Sequence, residues 1–174
     1  TEPLSVLPLM SFLDINWGLI IQFVVYIVLL LCSALISGAE VALFSLTPAE
    51  INTLRDEKTA TSNIIVKLVD NPKKLLATVL IANNLANISI VLLFVDLGNF
   101  LFGGITTPWV RVVLDVGVVT FVLLLCGEIL PKIYANRNNI QFAQRVAYFI
   151  YTLDTFFTPI SAPMKAFTVW IQKS

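Results

Sequence analysis

Apolar positions in this chain fall in three long runs, and polar positions interrupt them at recurring places. The first run, Trp17 to Leu46, reads WGLIIQFVVYIVLLLCSALISGAEVALFSL, and its polar side chains lie only in its second half. As a helix rising about 1.5 Å per residue it would be roughly 45 Å long, more than a hydrocarbon core of about 30 Å, so the pattern predicts a span over 17–46 that tilts or runs past the interface. Residues 47–71 are charged and too polar to span, which predicts one or two short surface helices. Asn71 followed by Pro72 is a helix start, since proline at the first helical position forfeits no hydrogen bond. A second span is predicted over 73–102, closed by Gly103, Gly104 and Pro108, and a third over 109–134. Residues 141–172 are apolar but interrupted by Arg145, Asp154, Pro159 and Pro163. A juxtamembrane amphipathic helix in the interface, with a kinked continuation, fits those interruptions better than a fourth span. The fold class is an all-α membrane protein: three transmembrane helices, short cytoplasmic-side helices and a juxtamembrane helix.

Composition agrees, with 57% hydrophobic and only 13% charged residues, about half the charge of an ordinary soluble domain. Eleven basic residues balance eleven acidic ones, which argues against a nucleic-acid surface. Their placement is more telling than their sum. Arg55, Lys58, Lys67, Lys73 and Lys74 lie between the first two spans, while Lys132, Arg137, Arg145, Lys165 and Lys173 follow the third; the opposite side has only Arg111. The positive-inside rule therefore places the N-terminus outside and the C-terminus in the cytoplasm, a parity that three spans satisfy and four do not. Residues 1–16 lack the basic start and cleavage pattern of a signal peptide. Cys32 and Cys126 lie in apolar runs and read as packing residues, and the absence of histidine removes His-centred catalysis and the commonest transition-metal ligand. A membrane hydrolase fails for want of a base near either serine, so no enzyme is expected.

Polar side chains at membrane depth are costly and by default face a bundle interior or a cavity. Ser33, Ser37 and Glu40 share one helical face at i, i+4 and i+7; Asn83 and Asn87 are four apart, with Asn84 beside them; Glu128 stands on the third span. Asn83 would lie about 14 Å along its helix, and Glu128 and the serines in the same half of theirs, so three distant segments meet in one layer. Pro131 has no N–H, which predicts a break in the helix that frees the carbonyl of Gly127 next to the carboxylate. The resulting set is all oxygen with one negative charge, the preference of hard cations such as Mg²⁺ or, in a looser arrangement, Na⁺. Competing readings exist for each piece. Ser33, Ser37, Gly38 and Ala39 also describe a small-residue packing stripe, the asparagines can act as interhelical glue, and Glu40 can be solvated at the interface. Arg111 and Asp115 read as an ordinary i, i+4 pair.

The stretches SALISGAEVALFSL, NPKKLLATVLIANNLANI and GEILPK, in order on successive spans, resemble the transmembrane (DUF21) domain of the CorC and CNNM proteins, over almost all of residues 1–174. The resemblance implies a homodimer in the cell inner (plasma) membrane, with an inward-facing polar cavity in each subunit. It also implies a CBS-domain pair in the full-length protein, a region not in this chain, and Mg²⁺ efflux that is coupled in some members to Na⁺ entry. Carried over from it, the metal site is Ser33, Ser37, Asn83, Asn87, Gly127 and Glu128; beside it the residues themselves offer Pro131 as the helix break and Glu40 and Asn84 as candidates to hold those ligands or Na⁺. The chain departs from the family's SGSET and GNN patterns at Ala39, Val41 and Ala82, which bears on the coupling ion more than on Mg²⁺. The alternative expectation is a non-transporting membrane anchor or Mg²⁺-sensing regulator.

Overall fold

The structure is a computed structural model that describes residues 17–172, with side chains described through residue 159. The signal-peptide reading of residues 1–16 lies outside the described residues. Helix α1 (Trp17–Phe44) is followed by two short helices, α2 (Pro48–Glu57) and α3 (Ala60–Val69), and by the long α4 (Pro72–Leu101). After the turn at 102–107 comes α5 (Pro108–Val122), which passes through a π-helical segment (Leu123–Ile129) into α6 (Leu130–Arg137); α7 (Asn139–Gln172) completes the described chain. Among the described residues there is no strand, and three helical stretches, Trp17–Phe44, Pro72–Leu101 and Pro108–Arg137, are long and apolar enough to cross a membrane.

Local chemistry sets the helix starts. Thr47 caps α2 reciprocally: its backbone N–H donates to Glu50 Oε2 at 2.7 Å, and Glu50 N–H donates to Thr47 Oγ1 at 3.3 Å. The bond from the Thr47 backbone N–H foremost, and then one from the Thr47 hydroxyl to Glu50 Oε2 at 2.9 Å, hold the Glu50 carboxyl below its ordinary pKa. Thr59 caps α3 from one side only, its hydroxyl oxygen accepting from Ser62 N–H at 3.1 Å. Asn71 and Pro72 start α4 as expected, with Asn71 at the N-cap position, although its side chain makes no cap bond. After residue 138 the chain is one helix, α7, that stays helical through Pro159 and Pro163.

Packing divides the bundle into two apolar clusters. At the end carrying α2 and α3, residues such as Ile36, Leu43, Leu54, Ile65, Leu75 and Ile150 form one cluster that joins α1, α2, α3, α4 and α7. Toward the 102–107 turn, Tyr26, Leu30, Ile90, Phe94, Val119 and Leu123 form a second, made only by the three spans. The outward faces of all three spans remain apolar and exposed, as expected of helices whose solvent is lipid. Between the clusters each span changes sides at one level: after Leu30 on α1, before Ile90 on α4, and after Leu123 on the third span. The intramembrane polar residues occupy that seam.

Candidate functional site

At the seam, Ser33 is fully buried and donates its hydroxyl proton to Asn87 Oδ1 at 2.9 Å, with Asn83 Oδ1 also near at 3.5 Å. A hydroxyl has one proton, so the shorter bond takes it, and the Ser33 oxygen keeps lone pairs. Asn87 Nδ2 in turn donates to Glu128 Oε1 at 3.1 Å. One polar chain therefore crosses from α1 through α4 to the third span, linking residues separated by 54 and 41 positions in sequence. The carboxylate is half-buried and its second oxygen is free of this chain, so the layer offers hydroxyl, amide and carboxylate oxygens around one negative charge. Among the described residues no group of three or more His, Cys, Asp or Glu side chains gathers, so any cation here would keep much of its water.

Gly127 is what lets the third span come so close. It is buried, and a Cβ at that position would lie 3.2 Å from Ser33 Oγ, tighter than ordinary contact, and 3.7 Å from Ser33 Cβ. The expectation of a break at Pro131 is corrected, because the helix continues through Pro131 as α6 to Arg137. The distortion lies before the proline, in the π-helical turns of Leu123–Ile129, where the N–H of Leu130 bonds the Leu125 carbonyl five residues back. A wide turn is a cheaper answer to a missing donor than a break: it moves the partner of each carbonyl one residue on, and the mismatch is spread over the turns around Glu128. The regular i+4 donor for the Gly127 carbonyl would have been Pro131, which has none.

The remaining candidates separate. Ser37 is fully buried one turn from Ser33, and its hydroxyl has no hydrogen-bond partner. Glu40 is not at the layer; it faces Lys132 across α1 and α6 at 3.3 Å, with both side chains about one-third exposed. Asn84 is exposed and turns back to its own helix, donating to the Leu80 carbonyl at 2.9 Å. Two features escaped the sequence reading. Lys132 as the partner of Glu40 could have been suspected from its place one turn beyond Glu128. The second is a buried cluster in which Asp154 of α7 accepts from Lys74 Nζ at 2.7 Å and from Thr78 Oγ1 at 3.0 Å. Asp154 read as an interruption of an interfacial helix, and only the docking of α7 on α4 shows it as an anchor five residues below Asn83.

A three-span helical bundle with an oxygen-lined polar layer buried between two apolar clusters is a multi-pass membrane protein built around an intramembrane polar site. Comparison with known proteins gives it a family: residues 24–174 match the Cyclin M transmembrane N-terminal domain, and the chain belongs to that CNNM family. A UPF0053 protein of Haemophilus influenzae is 32% identical over 149 residues, covering 86% of this chain and 32% of its own length. The UPF0053 inner membrane protein YfjD of Escherichia coli is 29% identical, over 78% of this chain and 31% of its own length. Metal transporter cnnm-4 of Caenorhabditis elegans is also 29% identical, over 78% of this chain and 30% of its own length. The chain thus spans about a third of the length of the curated relatives it matches.

Proposed function

We propose that this chain is the membrane domain of a divalent-metal transporter that moves Mg²⁺ out of the cytoplasm. The observation that carries the reading is the Ser33–Asn87–Glu128 chain, an all-oxygen layer held by three spans at the seam between two apolar clusters. A relative named as a metal transporter supports the metal, and the hard, partly hydrated character of the ligand set favours Mg²⁺. Charge placement supports an orientation with the Lys- and Arg-rich α2–α3 end in the cytoplasm and the N-terminus outside.

In this reading Mg²⁺ approaches past Glu40 and Lys132 and exchanges some of its waters for Glu128, the Asn83 and Asn87 amide oxygens and Ser33, with Ser37 one turn inward. Each hydrogen bond within the layer is a ligand the ion can take over without a large movement of backbone. Na⁺ entering down its gradient supplies the drive, and two copies of the chain form the working unit in the cell membrane. A cytoplasmic CBS region, supplied by the full-length protein, would regulate it.

Reconstituted full-length protein tests this directly. Wild type in liposomes should show Na⁺-dependent Mg²⁺ movement, and Glu128→Ala should reduce it by about tenfold or more, as loss of the one carboxylate requires. Magnesium should also raise the melting temperature of wild type and not of the variant. No flux from wild type, with a Glu128-dependent rise in melting temperature, would instead make the chain a Mg²⁺-sensing anchor; equal behaviour of the two proteins in both assays would remove the site altogether.

A further inference from the structure

On the far side of the polar layer the three spans close on themselves. Tyr26, Leu30, Ile90, Phe94, Val119 and Leu123 pack into an apolar plug, with the Tyr26 and Phe94 rings 5.8 Å apart. Any ion leaving the layer away from the α2–α3 end must part these side chains. One of them does not belong in an apolar plug. Tyr26 is only 5% exposed, and its hydroxyl has no hydrogen-bond partner.

A buried hydroxyl without a partner is unfavourable, and buried tyrosines ordinarily find one. Phenylalanine would fill the same space without that penalty, so packing does not explain the oxygen. Its position does. Tyr26, Leu30, Ser33 and Ser37 recur at spacings of four, three and four on one face of α1, which puts Tyr26 about 10 Å beyond Ser33 with a single leucine layer between. Among the described residues the other unpartnered buried side-chain atoms are Ser37 Oγ, on the same face of α1 at the inner side of the layer, and Asp115 Oδ1, farther out on the third span. By position along the spans, the order from the α2–α3 side outward is Ser37, the layer, Tyr26 and Asp115.

We infer that Tyr26 contacts the ion in the outward half of the transport cycle: its ring seals the plug, and its hydroxyl is the first oxygen to receive the partly hydrated divalent cation when the plug opens. This rests on the transport reading above. The orphaned hydroxyl is the resting cost of an oxygen that is used only while the plug is open.

Replacing the hydroxyl alone tests it. In full-length protein, Tyr26→Phe should leave the half-saturating Mg²⁺ for thermal stabilisation within about twofold of wild type, because the inner layer is untouched, while Mg²⁺ flux in liposomes falls by about fivefold or more. Its melting temperature without ions should equal or exceed that of wild type, a direction that a structural hydrogen-bonding role would reverse. Flux within twofold of wild type, or a lower melting temperature, overturns the assignment. Glu128→Ala run alongside separates the failures. Flux lost in that variant but retained in Tyr26→Phe removes only the role of Tyr26, whereas absence of flux from wild type removes the transport reading and this one together.

Discussion

Gly127 shows how much one missing side chain can decide. With a Cβ only 3.2 Å from Ser33 Oγ, alanine would push the serine or the third span aside by a few tenths of an ångström. Overpacking of this kind costs about 1–3 kcal/mol. Gly127→Ala should therefore lower the melting temperature modestly and weaken Mg²⁺-dependent stabilisation more than proportionally, since the displaced atom is the donor to Asn87; titration of melting temperature against Mg²⁺ reads both. At this scale the sequence was informative wherever an expensive side chain stood in an apolar run. Ser33, Asn83, Asn87 and Glu128 could be placed at one depth from spacing alone, and the structure brings them together. Tyr26 and Asp154 were not legible, because a tyrosine in a span and an aspartate in a mixed helix each have an ordinary explanation until their neighbours are known.

Among the elements, the third span and α7 depart most from what pattern predicts. Periodicity locates a proline but not the response of the backbone, and here the response is a run of π turns ahead of Pro131 with α-helix after it. For α7, hydropathy alone left its docking open, whereas buried charge fixes it: Asp154 holds Lys74 and Thr78 at 2.7 and 3.0 Å, and Lys67 sits 4.9 Å over the Tyr151 ring. Asp154→Ala strands a largely buried ammonium and a buried hydroxyl, a loss of about 3 kcal/mol that should appear as a lower melting temperature. Asp154→Asn keeps an acceptor for Thr78 and should lose about half as much. If the two variants melt alike, the charge of Asp154 is not what holds α7 to α4.

For the whole molecule, the spans and their order were readable from length and composition because lipid permits so few solutions to backbone hydrogen bonding. The internal division into two apolar clusters was not, since apolar faces that meet protein and those that meet lipid share one composition. The orientation proposed from charge is open to direct measurement. A cysteine at Gly104, in the turn between the second and third spans, should react with a membrane-impermeant maleimide from outside intact cells. One at Thr61, on α3, should react only after permeabilisation. The reverse pattern would invert the proposed direction of transport.

Phe142 and Gly38 leave the molecule no slack at one joint. The ring of Phe142, on α7, lies so near the α1 backbone that a Cβ on Gly38 would sit 2.5 Å from it. Gly38 is the neighbour of Ser37. Any side chain at position 38 would therefore wedge α7 from α1 directly beside Ser37.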